Sequence, residues 1–162
     1  MAQSERIDME AILAQWKRER PDIDPAPMAV VGEIWRASER VRQKIHANLA
    51  DHGLDRAGFD VLLTLRRQGR ENALSPSALA KEMMLSGSAM TNRLDRLEKR
   101  DLLQRTMDPN DRRGLQIALT SAGFALADEL IISHLETEER LLSRLSNADR
   151  LQLRALLGKI GA

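Results

Sequence analysis

Apolar residues recur every three or four positions through most of this chain, and they alternate with polar or small residues in a single stretch. Ile7, Met9, Ile12, Leu13 and Trp16 share one broad face, which predicts a first helix over residues 7–19, ended by Pro21, Pro25 and Pro27. A long second helix is expected from about Met28 to Asp51, carrying Val31, Ile34, Trp35, Ser38, Val41, Ile45 and Leu49, with Gly53 closing it. Asp55 can cap a third helix through Phe59, Leu62, Leu63 and Leu65 that ends near Gly69. Ser75 followed by Pro76 starts a short fourth helix through Leu79, Ala80 and Met83. Ser86 caps a fifth, in which Met90, Leu94 and Leu97 repeat at the i, i+4, i+7 spacing of one face. Leu115, Ile117 and Leu119 then alternate with Gln116 and Ala118, so the period falls to two and a hairpin is expected. Thr120 caps a return to helix through Phe124, Leu126, Leu130, Ile131, Leu135 and Leu141, and Ser146 with Asp149 makes a capping box for a last helix.

Two short helices followed by a hairpin define a mainly α fold, a winged helix-turn-helix with a two-stranded wing and a helical dimerisation region. The expected division is residues 1–54 as N-terminal helices on the dimer and ligand side, 55–120 as the DNA-binding unit, and 121–162 as C-terminal helices completing the dimer. Opposite the apolar face of the fifth helix stand Ser88, Asn92, Asp95 and Lys99, with Thr91 and Arg96 on the flanks. The segment Asp108-Pro109-Asn110-Asp111-Arg112-Arg113-Gly114 has Asp, Pro and Asn where a type I turn wants them, and it carries two arginines expected at the tip. An arginine on a thin projecting loop suits the narrow minor groove, whose negative potential attracts guanidinium.

Composition narrows the picture. In 162 residues there are two Trp, two Phe and no Tyr, so the apolar content is mainly Leu, Ala, Ile and Met, which favours helices. A net charge of +1 argues nothing by itself, but its distribution does. Residues 81–116 hold eight basic against six acidic side chains, whereas 121–145 hold two against five. A basic reading end and an acidic distal end would orient the protein on DNA. With no cysteine there is no structural disulfide, thiolate metal site or thiol redox switch. Glu5, Arg6, Asp8 and Glu10 interrupt any apolar leader and no run approaches membrane-spanning length, so a cytoplasmic protein is expected. The leucine-rich last helix, with Leu151, Leu153, Leu156, Leu157 and Ile160, exceeds what a terminal helix buries on a small domain, and predicts a homodimer.

Through the turn Asp108–Gly114 followed by Leu115-x-Ile117-x-Leu119-Thr120, the chain resembles the MarR family of bacterial transcription regulators. The resemblance implies binding to a double-stranded DNA operator, with Arg113 as the minor-groove contact. The residues expected at DNA are Ser77, Ser86, Ser88, Thr91, Asn92, Arg96, Arg112 and Arg113.

Four further residues sit oddly for structural roles. Asp60 and Arg67 are i, i+7 on one helix face, Arg93 falls on the inner shoulder of the fifth helix, and Trp16 offers an indole plane. Such a set suits a small, flat, anionic or polar heterocycle through stacking, charge-assisted bonds and an acceptor for ring N–H groups. Trp16-Lys17-Arg18-Glu19-Arg20-Pro21-Asp22 is similar to the leader of the urate-responsive HucR/PecS-like subgroup of that family. By that resemblance Trp16, Asp60, Arg67 and Arg93 are the ligand-binding residues, and urate or another purine is the effector. The ordinary alternatives are Trp16 in a dimer core, Asp60 with Arg67 as a surface pair, and Arg93 on phosphate. A regulator tuned to phenolic or other aromatic carboxylates, and a winged-helix interaction module that reads no DNA, also fit the residue types. His46, His52 and His134 are too scattered for a zinc set, no phosphate-binding loop follows a strand, and no catalytic constellation or cofactor site is expected.

Overall fold

The computed structural model describes residues 8–70, 72–84, 90–108 and 111–161, without the side chains of 111–113. Its elements run α1 (Met9–Glu19), α2 (Ala26–Ala50), α3 (Arg56–Gln68), α4 (Pro76–Glu82), α5 (Met90–Glu98), β1 (Leu103–Asp108), β2 (Asp111–Leu119), α6 (Ser121–Leu142) and α7 (Asn147–Leu157). These are the helices and hairpin of a winged helix-turn-helix, with α4 and α5 as the helical pair and β1–β2 as the wing. The chain divides into two compact units, one ending at Lys44 and the other starting at Ile45.

In the first unit α1 closes through Arg20 N–H on the Trp16 carbonyl, and Arg20 grips Asp22 with two guanidinium bonds. The second helix begins at Ala26, two residues ahead of the expected Met28. Pro27 falls in its first turn, where no backbone donor is needed, and the Asp24 carboxylate accepts the Ala26 N–H at 3.0 Å. Gly32 lets α1 approach: a Cβ there would meet the Met9 methyl at 2.2 Å. No residue of α1 is buried, and Trp35 of α2 is 72% exposed.

The second unit is organised around α3. Its capping residue Asp55 accepts the Gly58 N–H at 2.7 Å, and Phe59, Val61, Leu62 and Leu65 are buried in one core. Phe124, Ala127 and Leu130 of α6 join that core, with Leu94 and Leu97 of α5, Leu79 and Met83 at α4, and Leu103, Ile117 and Leu119 of the wing. Other caps also form as local chemistry dictates: Ser75 accepts from Ala78 N–H, Thr120 from Gly123 N–H, and Ser146 with Asp149 makes a reciprocal capping box. Leu74 pairs with Ile117 as an isolated bridge, which holds the start of α4 against the wing.

The wing departs from expectation in its turn. β2 starts at Asp111, which pairs with Asp108 after an irregularity at Met107/Asp108, so only Pro109 and Asn110 separate the strands. Arg112, Arg113 and Gly114 therefore lie in strand β2 instead of forming a long tip. The reason is pairing: each added antiparallel rung satisfies backbone groups that an open turn would leave to solvent. Leu115 shares the parity of buried Ile117 and Leu119, yet it is 43% exposed, because it stands opposite Met107 on the part of the wing beyond the core. Along α7, Leu151, Leu153, Leu156, Leu157 and Ile160 are all exposed, none of them covered within the chain. No helix among the described residues is long and apolar enough to cross a membrane.

Candidate nucleic-acid interface and effector residues

The reading helix α5 buries Leu94 and Leu97 and is held along both flanks. On one flank Arg105 of β1 donates to Asp95 at 2.6 Å, to Glu98 at 3.0 Å and to the Thr91 carbonyl at 3.5 Å. On the other, Arg96 reaches Asp55 at 2.7 Å, and Arg100 donates to the His52 and Gly53 carbonyls at 2.9 and 2.7 Å. Successive residues lie roughly 100° apart around a helix, so these two sets of ties leave Asn92 and Lys99 pointing away from the core. Asn92, Lys99 and Thr91 are exposed. Asp95, expected on that outward side, turns instead toward the wing, where a charge-assisted bond to Arg105 outweighs solvation.

Burial alone would raise the Asp55 carboxyl, but the Gly58 N–H, the Arg96 guanidinium and the charge of Arg93 together hold it below the usual carboxylate range. Asp55 thus caps α3 and receives α5 with the same side chain. Arg93, half-buried, lines a cavity of about 270 Å³ with Asp55, Arg96, Lys99 and Arg100, so three arginines and a lysine surround one carboxylate. Neither Asp60 nor Arg67 lines it. Ser77 and Thr91 meet at a second depression of about 410 Å³, shared with Met90, Arg105 and Leu115.

Asp60 is buried and accepts the Met84 N–H at 3.4 Å. Arg67 donates to the Glu82 carbonyl and lies 3.4 Å from the Glu82 carboxylate. Both α3 side chains thus converge on the end of α4 and the connection into α5. Trp16 belongs to the first unit, where it is 40% exposed. That unit has its own apolar cavity of about 590 Å³, bordered by Met9, Ile12, Met28, Val31, Trp35 and Arg36 among others. Ser86 and Ser88 lie outside the described residues, as do the side chains of Arg112 and Arg113.

Arg105 is the residue that reading the sequence missed. It stands two positions after buried Leu103 and opposite buried Ile117, hence on the inward parity of the strand. An arginine there needs acidic partners, and Asp95 and Glu98 stand i, i+3 apart on the neighbouring helix.

A helix-turn-helix with a wing, a reading helix braced on both sides and an exposed polar ridge define a DNA-binding protein of the winged-helix class. Comparison with known proteins makes the class particular. A model of the MarR family matches residues 52–114. The HTH-type transcriptional regulator PecS of Dickeya dadantii is 39% identical over 154 residues, covering 95% of this chain and 93% of that protein. BpsR of Bordetella bronchiseptica, whose DNA binding is regulated by 6-hydroxynicotinic acid, is 30% identical with a TM-score of 0.71, over 80% of this chain and 91% of its own. A mutant MarR from E. coli complexed with operator DNA shares the fold at a TM-score of 0.70 and 22% identity, covering 91% and 98% of the two chains. The chain belongs to the MarR family and is a DNA-binding transcription regulator, not an enzyme.

Proposed function

We propose that this protein is a cytoplasmic repressor that binds a pseudo-palindromic operator as a homodimer and is released by urate or a related purine. The observation that carries the effector reading is the pair Asp60 and Arg67, a buried carboxylate and a guanidinium both set on the segment that leads into the reading helix. Identity to PecS across nearly the whole chain supports the same reading, as does a relative regulated by a small heterocyclic acid. In this account residues 55–120 read DNA, with Ser77, Ser86, Ser88, Thr91, Asn92 and Arg96 at the major groove or its phosphates and Arg112 and Arg113 in the wing. Trp16, Asp60, Arg67 and Arg93 receive the effector. A ligand drawn to Arg93 shifts α5 from its inner side and changes the half-site spacing the dimer presents.

The test is fluorescence anisotropy of the protein on its own upstream intergenic DNA at stated salt, titrated with urate, xanthine and salicylate. Urate or xanthine is expected to release the DNA, and Arg93→Ala to bind it yet resist release. Unchanged release from Arg93→Ala would refute that route. A second reading, an aromatic carboxylate as effector, draws on the cationic cavity beside Arg93, and release by salicylate alone would favour it.

Dimerisation rests on the uncovered apolar residues of α7 and on Met28, Val31 and Trp35 of α2. A twofold dimer sets its two reading helices roughly 34 Å apart, one turn of DNA. Sedimentation equilibrium is expected to return twice the 18.2 kDa chain mass at micromolar concentration, and a monomer would remove the dimer from this account.

A further inference from the structure

Two of the side chains assigned to the effector are already occupied, and their partners are backbone. Arg67 holds the Glu82 carbonyl, which belongs to the last turn of α4 and has no partner further along its own helix. Asp60 holds the Met84 N–H, two residues on. Met83 between them bonds within its own helix, to the Leu79 carbonyl. Within three residues, then, one carbonyl and one N–H of the turn are satisfied by α3 rather than by the local chain. A carbonyl acceptor beside an N–H donor is also what the edge of a lactam or imide ring presents.

We propose that the effector is a heterocycle with a lactam edge, and that it works by substituting for the backbone of this turn at Arg67 and Asp60. The inference rests on the effector reading above and adds how the ligand is recognised and what it displaces. The ring carbonyl accepts from the Arg67 guanidinium and the ring N–H donates to the Asp60 carboxylate. The Glu82 carbonyl and Met84 N–H then pass to water, and the connection into α5 loses both of its anchors on α3. Occupancy by effector and by turn are mutually exclusive, because each needs the same two side chains. The chemistry also discriminates. Asp60 is only 8% exposed, and a buried carboxylate rejects a ring that brings it no donor. Urate and xanthine carry N–H beside C=O; a fully N-methylated xanthine keeps the carbonyls and lacks the donors; salicylate has no N–H at all.

The experiment is amide hydrogen exchange on the full-length protein without DNA, with binding followed separately by calorimetry. Saturating xanthine is expected to speed exchange of the Met84 amide at least tenfold, leaving the core amides of α6 unchanged, while trimethylxanthine produces neither heat nor faster exchange. Xanthine that binds with Met84 protection intact overturns this inference and leaves the effector reading standing. Trimethylxanthine that binds as well as xanthine also overturns it. Absence of any binding by xanthine and urate overturns the purine reading and this inference together.

Discussion

Gly123→Ala is expected to lower the stability of the fold by about 3 kcal/mol or more, the scale at which overpacking against an unyielding neighbour is felt. Gly123 is the third residue of α6, and an added Cβ would stand 1.8 Å from the Leu102 carbonyl oxygen and 2.8 Å from its carbon. Those atoms are backbone and have no rotamer to adopt. Leu102 is fixed besides: Asp101 adopts a φ of 56° to end α5, the Leu102 N–H returns to the Leu97 carbonyl, and the Leu102 carbonyl accepts the Thr120 N–H. Thr120 Oγ1 adds a bond to the Asp101 carbonyl at 2.6 Å while capping Gly123 at 3.0 Å. To restore an ordinary 3.4 Å contact, α6 would have to retreat by about 1.6 Å, which breaks these bonds and pulls Phe124 from the core. Thermal unfolding should fall by about 10 °C, since each kcal/mol shifts a chain of this size by roughly 2–4 °C. Gly158→Ala is the control. It lies in right-handed helical conformation with nothing closer than 3.6 Å, and its midpoint should barely move. A Gly123→Ala midpoint within 2 °C of the parent would show that α6 is not seated on this carbonyl.

How much of this was legible in the sequence depended on how local each cause was. Asp55, Ser75, Thr120 and Ser146 announce helix starts because a cap is satisfied within three residues, and each caps as expected. The exposed leucines of α7 follow from simple surplus. The length of the wing turn was not legible, since Arg112 to Gly114 are polar or small whether they sit in a turn or a strand, and only pairing with β1 decides. Among the candidate effector residues, the parity of Asp60 and Arg67 on α3 was readable, but their partners were not. Met84 lies 24 residues from Asp60, and Glu82 lies 15 from Arg67. Arg93 was placed on the inner shoulder of α5 by its angle alone and does line a cavity there; the carboxylate facing it comes from the cap of α3. Long-range polar partners are chosen by packing, and periodicity carries no information about them.

Removing the Arg105 guanidinium is expected to weaken operator binding about tenfold, near 1.4 kcal/mol, with a smaller loss on non-specific DNA. Arg105 is the bridge from wing to reading helix, 23% exposed, with Asp95 and Glu98 on separate nitrogens. One planar group thereby fixes two positions a turn apart on α5, and so the helix's rotation about its own axis. In Arg105→Met that constraint goes, and two carboxylates are left unpaired on the flank of a helix that must approach phosphate. Both are about two-fifths exposed, so water solvates them and the cost to folding stays near 1 kcal/mol or below. The larger effect therefore falls on recognition. Arg105→Lys separates shape from charge: a point ammonium cannot hold Asp95 and Glu98 in the same forked geometry, so lysine should recover little of the operator affinity. Full recovery with lysine would mean that charge alone matters at this position. Equal losses on operator and non-specific duplex would instead make Arg105 a phosphate contact, because a residue that only aims the helix affects the sequence being read far more than the backbone that carries it.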